Sequence, residues 1–254
     1  MKLGFHVSIS GSIDRAVDRA AEMGCNTFQM FTRNPRGWRF KGLDQKEVES
    51  FTRKLEAQKI DPVFGHMPYL PNLASPKEEV YEKSVDSLTA ELGRCAQLGI
   101  PYLVTHLGSH LGAGQSVGLQ MVANAINRSF SKAEGRVMLL LENTAGTRNS
   151  VGSSFDDLRH IIDRLVEPDR VRVCFDTCHG FAAGYDLRTE GAVEATIEEF
   201  DGVLGLERLK LVHLNDSRGD LGSHIDRHEH IGMGKIGEES FRNILRSRLG
   251  RLPM

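Results

Sequence analysis

"VMLLLENT" (137–144) places five consecutive apolar residues directly before a carboxylate, Glu142. The run is too short for a helix and lacks the polar alternation of a half-exposed strand, so it predicts a strand buried on both faces. Such strands belong to parallel sheets covered by helices. Similar runs recur along the chain: "KLGFHVSI" (2–9), "NTFQMFT" (26–32), "PVFGHM" (62–67), "YLVTHLG" (102–108), "VRVCFDT" (171–177) and "LKLVHLND" (209–216). Amphipathic, helix-period segments lie between them. In 76–98, Val85, Leu88, Leu92 and Cys95 form one stripe, with Ser75-Pro76 expected to start the helix and Gly99 to stop it. A further helix is expected over roughly 238–248.

Seven strand–helix units in 254 residues predict a TIM (β/α)8 barrel, a single catalytic domain over 1–254, with the eighth strand truncated. A doubly wound open sheet is the second choice. It would more often show a glycine-rich phosphate fingerprint after its first strand, and "SISGSIDRA" (8–16) is not one.

The metal-capable residues fall at strand ends. His66, His106, Glu142, Asp176 and His213 succeed one another at spacings of 40, 36, 34 and 37 residues, one βα unit each time. In a parallel barrel the C-terminal strand ends converge on one rim, so these five would surround a common volume. His179 lies in the turn that leaves the sixth strand. Asp226 and His228 alternate within "DRHEH" (226–230) and would point the same way if extended. A lone histidine at a strand end is usually structural, but the phased recurrence points to metal. Imidazole and carboxylate without thiolate suit a catalytic zinc, manganese or iron site. Eight ligands exceed what one ion takes from protein, so a multinuclear cluster is expected, with Glu142 central enough to bridge.

Composition narrows the class. With 34 acidic and 32 basic residues, a blanket nucleic-acid binder is excluded, but a local basic patch is not. Cys25, Cys95, Cys174 and Cys178 show neither CxxC spacing nor secreted-domain density, so reduced, non-catalytic thiols in a cytoplasmic protein are expected. No apolar run approaches the roughly 18 residues of a membrane span.

With these residues in place, the chain resembles the endonuclease IV family, the zinc-dependent apurinic/apyrimidinic endonucleases of base-excision repair. The motifs that carry the resemblance run from "GFHVS" (4–8) through "HMPYLPNLASP" (66–76), "THLGSH" (105–110), "LLLENTAG" (139–146), "CFDTCHGFAAGYD" (174–186) and "VHLNDS" (212–217) to "DRHEHIGMG" (226–234). The resemblance implies three zinc ions, with manganese an alternative. His66, His106 and Glu142 would hold the first, Glu142, Asp176 and His213 the second, and His179, Asp226 and His228 the third. It further implies cleavage of double-stranded DNA 5′ to abasic sites, leaving a 3′-hydroxyl, and removal of 3′-blocking groups, by a monomer. The family's eighth strand carries a glutamate ligand to the second ion. No residue here matches it, and "RLPM" (251–254) resembles the run-up to that strand.

DNA contacts are expected from two loops. "TRNPRGWRFKG" (32–42) has basic residues at Arg33, Arg36, Arg39 and Lys41, no acidic residue, and the sole tryptophan, Trp38. "MPYLPN" (67–72) holds Tyr69 and Leu70 between two prolines. By resemblance, this second loop and Arg36 enter the minor groove at the lesion. His6 is expected to line the pocket behind the ligands, and His110, His224 and His230 to be structural or exposed. Two rival functions remain on the sequence: a sugar isomerase or epimerase of similar barrel fold, and a non-catalytic zinc- or DNA-binding module.

Overall fold

The computed structural model describes residues 1–254. Seven parallel strands form one sheet in strictly sequential order: β1 (His6–Val7), β2 (Phe28–Phe31), β3 (Val63–His66), β4 (Tyr102–Thr105), β5 (Met138–Glu142), β6 (Val171–Asp176) and β7 (Leu209–His213). A doubly wound sheet must reverse its order at a switch point, so sequential order excludes that alternative. The helices α1 (Arg15–Glu22), α2 (Gln45–Gln58), α3 (Glu78–Gln97), α4 (Gln115–Lys132), α5 (Phe155–Ile162), α6 (Thr177–Ala183) and α7 (Glu190–Leu204) occupy the crossovers. A short antiparallel pair, β8 (Asp216–Ser217) and β9 (His228–Glu229), precedes α8 (Glu238–Arg246).

The strands are shorter than the apolar runs, because each run continues past the last ladder bond into the loop above. Helix α3 starts at Glu78 rather than at the Ser75-Pro76 signal. Ser75 Oγ instead accepts from the Lys77 N–H in a turn before the helix. Its predicted stripe is fully inside, and Gly99 adopts φ +68° directly beyond its end.

Two apolar layers result. The larger packs helices against the outer face of the sheet. The smaller, Phe64, Val104, Leu140, Cys174 and Leu211, takes one residue from each of β3 to β7 and fills the inside of the curl. Side chains on a strand alternate faces. The residues two positions further along, His66, His106, Glu142, Asp176 and His213, therefore face inward directly above this plug. The barrel interior is the floor of the site.

Between β1 and β7 lies a seam. Pro253 pairs with Lys2 in parallel, its carbonyl accepts from the Val212 N–H at 3.0 Å, and the Met254 N–H donates to the Lys2 carbonyl at 2.9 Å. The Gly4 N–H in turn donates to the Met254 carbonyl. The "RLPM" run-up thus occupies the lower part of the eighth-strand position, and strands one and seven are bridged there rather than left fully unpaired. On its other side Gly4 packs closely on the segment entering β2, where a Cβ would stand 1.8 Å from the Thr27 carbonyl oxygen.

Candidate metal centre

Seven of the eight expected ligands line a cavity of about 540 Å³ at the C-terminal strand ends, and the eighth, Asp226, stands beside His179 and His228 at its edge. Glu142 lies at its centre and is 2% exposed. Its two oxygens face different neighbours. Oε2 is 3.2 Å from His66 Nε2 and 3.5 Å from His106 Nε2, while Oε1 is 3.2 Å from His213 Nδ1 and 3.5 Å from His179 Nδ1. That is the disposition of a bridging carboxylate.

Asp176 ends β6 and also caps α6, its Oδ1 accepting from the His179 N–H at 2.9 Å. The same turn therefore fixes both residues. His213 Nδ1 is 3.8 Å from Asp176 Oδ2, but the donor atoms that lie within 4.8 Å of one another around the Glu142–Asp176 pair are completed by His179 rather than by the expected His213. On the far side, His179 Nε2 is 3.2 Å from Asp226 Oδ1 and 3.3 Å from His228 Nε2, with His228 and Asp226 3.6 Å apart. Donor atoms of His66, His106 and Glu142, and separately of His179, Asp226 and His228, all lie within 4.8 Å of one another. Nitrogen and oxygen donors at such mutual distances fit divalent cations.

The second ring nitrogens strengthen this fit. His66 Nδ1–H donates to the Met67 carbonyl at 2.7 Å, His179 Nδ1–H to the Asn143 carbonyl at 2.9 Å, and His213 Nε2–H to Gln29 Oε1 at 2.9 Å. Each bond leaves the other nitrogen's lone pair facing the cluster, as metal-ligating histidines are ordinarily held.

The electrostatics follow from crowding. Burial alone would raise the Glu142 carboxyl, but His106, His213 and His66 hold it well below the usual carboxylate range. Burial would lower His179, yet Asp176, Asp226 and Glu142 push it up to about 10. His213 is likewise raised by Glu142 and Asp176 against its burial. At His106 the pull of Glu142 is outweighed by burial and three neighbouring imidazoles, and the pKa falls. His6, packed against Phe31 and near His66, drops to about 3 through burial and the neighbouring histidines.

Gln29, not identified from sequence, bridges two of these rings: its Nε2 donates to His6 Nδ1 at 3.0 Å while its Oε1 holds His213. Asn143 and Asn215 also carry no signal in the sequence. Asn143 clamps the Asp176 backbone, and Asn215 Nδ2 donates to Asp176 Oδ2 at 2.6 Å. The thiol of Cys178 comes close to Asp176 and His228, but burial pushes it up to about 12, and a protonated thiol is a poor ligand. His110 Nδ1 accepts from the Gly112 and Gly114 amides, His224 bonds the Ala145 carbonyl, and His230 is exposed.

One expected DNA contact is corrected. Arg33 is 5% exposed and points inward: it pairs with the fully buried Glu91, bonds Ser87 Oγ at 2.6 Å and the Gly37 and Trp38 carbonyls, and lies over the Phe40 ring. It props the loop from below. Arg36, Arg39 and Lys41 remain exposed or half-exposed at the surface and Trp38 is half-buried. Tyr69 and Leu70 are exposed, and the Tyr69 N–H donates to the Pro35 carbonyl, joining the two loops beside the cavity mouth.

Comparison with known proteins agrees with this architecture. Residues 17–249 match the family model described as xylose isomerase-like TIM barrel. A "Probable endonuclease 4" of Methanoculleus marisnigri is 59% identical over 254 residues, 99% of this chain and 90% of that one. The crystal structure of endonuclease IV from Thermus thermophilus superposes with a TM-score of 0.89 at 38% identity, covering 100% of this chain and 90% of that one. A D-tagatose 3-epimerase-like protein reaches a TM-score of 0.71 at 18% identity over 97% of this chain and 86% of that one, a likeness of fold alone. The chain therefore belongs to the endonuclease IV family of xylose isomerase-like TIM barrels.

Proposed function

We propose that this protein is a metal-dependent AP endonuclease that hydrolyses the DNA phosphodiester 5′ to an abasic site and removes 3′-blocking groups, with three zinc ions as its resident metals. The observation that carries the reading is the paired geometry of the imidazoles. His66, His179 and His213 each donate one ring N–H to a fixed acceptor; the second nitrogen faces Glu142 in His66 and His213, and faces Asp226 and His228 in His179. Ions held there would polarise a phosphate, supply a nucleophilic water near neutral pH and neutralise a leaving oxygen.

The chain's own residues do the rest. Glu142 offers one oxygen to the His66–His106 side and the other to the His213–His179 side, so it would hold a metal ion on each side. His179, Asp226 and His228 would hold a third. Neutral His6 stands at the edge of the cavity, braced by Gln29, and can donate Nε2–H to a phosphate oxygen. Arg36, Arg39, Lys41, Tyr69 and Leu70 supply charge and apolar surface on the rim for a DNA backbone and the gap left by a missing base. An abasic nucleotide has no base to unstack, so turning it into the cavity costs less than for an intact one.

The test is strand nicking of a duplex oligonucleotide with one abasic site, with and without chelator, alongside metal content. Nicking that chelation abolishes, and about three zinc ions per chain, are the expected results. Metal binding without nicking would favour a non-catalytic module, and one ion with turnover of a ketose would favour a sugar epimerase.

A further inference from the structure

Asp226 and His228 sit on an exposed excursion between β7 and α8, away from the strand ends that carry five of the other candidate ligands and from α6, which carries His179. Something must hold that excursion in place. Asp216, three residues beyond His213, is fully buried, and its carboxylate accepts five backbone N–H groups. Oδ1 takes those of Ser217 at 2.8 Å and Ile236 at 3.0 Å. Oδ2 takes those of Gly232 at 3.0 Å, Gly234 at 3.0 Å and Gly237 at 3.3 Å. None of these partners is a cationic side chain.

The stretch "IGMGKIG" (231–237) is shaped around this acceptor. Gly232 and Gly237 have φ of +83° and +85°, and a Cβ on Gly234 would stand 2.4 Å from the Ser217 carbonyl and 2.5 Å from Asp216 Oδ1. Only a backbone without side chains at these positions can converge on one carboxylate. The ladder continues outward: the Lys235 N–H donates to the Ser217 carbonyl at 2.7 Å, the Arg218 N–H to the Arg227 carbonyl at 2.9 Å, and Ser217 is the register partner of His228. Asp226 lies two residues before His228, so both inherit the placement of β9.

We propose that Asp216 is a positioning residue for the third metal ion: it gathers the amides of 232–237 and thereby sets Asp226 and His228 against His179 before any ion arrives. This rests on the reading of those three residues as ligands, made above. Charge-assisted bonds to backbone N–H groups are among the stronger hydrogen bonds, and an acceptor that replaces solvent for several amides at once costs little reorganisation when the ligand binds.

The experiment compares wild type with Asp216→Asn, which keeps the side-chain shape but turns an N–H₂ toward the converging amides. Zinc-loaded protein is examined by native mass spectrometry and by hydrogen exchange. The expected result is loss of one ion, or its weakening by about 10- to 100-fold, with faster exchange at 232, 234, 236 and 237 and unchanged exchange in β5 and β6. Asp220→Asn, on the exposed part of the same excursion, should change neither. If Asp216→Asn does not fold, Gly234→Ala gives the second reading, because its Cβ intrudes on the same carboxylate. A full zinc count with unaltered exchange at those amides overturns the proposal. A wild-type count that His228→Ala leaves unaltered would instead overturn the ligand assignment beneath it, whatever exchange shows at Asp216.

Discussion

Gln29 Oε1 lies 2.9 Å from His213 Nε2, so an uncharged residue of the second strand sets which nitrogen the seventh strand offers to the cavity. Outer partners of metal-bound histidines are typically worth 10- to 100-fold in metal affinity. Gln29→Ala should therefore weaken zinc binding by about tenfold or more without altering the fold. Competition against a chromophoric chelator measures this, and unchanged affinity would show that the ring is held some other way.

Glu142→Gln retains the volume of a buried side chain but removes the charge shared between the two halves of the site. Nicking of abasic DNA should fall below detection while circular dichroism stays native. Wild-type nicking by this variant would sink the bridging assignment.

Arg33 and Arg36 are three residues apart and should fail in opposite ways. Arg33→Ala removes the ion-pair partner of Glu91, which is fully buried and keeps the Thr32 hydroxyl bond, and the loss of one partner of a buried pair costs about 3–5 kcal/mol. The expected signature is a lowered melting temperature. Arg36→Ala removes a surface charge, so melting and zinc content should hold while affinity for abasic DNA drops. The salt dependence of that affinity should also flatten, by about 0.9 in log–log slope for each phosphate the variant no longer neutralises. Identical slopes for the two proteins would remove Arg36 from the DNA interface.

Tyr185 stacks on Phe155 with ring centroids 4.1 Å apart, and its hydroxyl accepts the Phe155 N–H. Burial pushes this phenol up to about 12. A folded pKa above the ordinary value near 10 means the contribution to stability is complete below about pH 10 and is lost as pH climbs through about 12. Ultraviolet titration of the four tyrosines should show a late step near that value that disappears in denaturant. A single ordinary step in the native protein would contradict the packing.

The candidate ligand set is legible in the sequence because the strand period and the βα repeat are both local properties. An inward residue at the end of one strand stays in phase with the next, and Glu142, Asp176 and His213 announce themselves by chemistry. What the sequence hides is long-range pairing. Nothing in "TRNPRGW" reveals that Arg33 meets Glu91 on α3, so a propping residue reads like its neighbour Arg36. Gln29 is silent because an amide has no titration or metal signature, and its role appears only when β2 and β7 face each other across the curl. Asp216 sits among the candidate ligands in sequence yet points away from them, into the glycines that follow. Helix α3 begins later than Ser75-Pro76 suggests because Ser75 satisfies a turn amide just as it would a helix cap.

The seam where Pro253 and Met254 join Lys2 and Gly4 has a consequence in time rather than in space. Synthesis delivers about 5–20 residues per second, so the amino-terminal strand emerges well before the residues that pair with it there. Each intervening strand can dock on its predecessor as it appears, because the order is sequential. The Lys2–Pro253 pairing cannot, and contacts of such separation carry the largest loop-closure cost. The growing chain is thus an open arc whose first edge waits for its partner, and chaperone capture should concentrate on that edge until translation reaches Pro253.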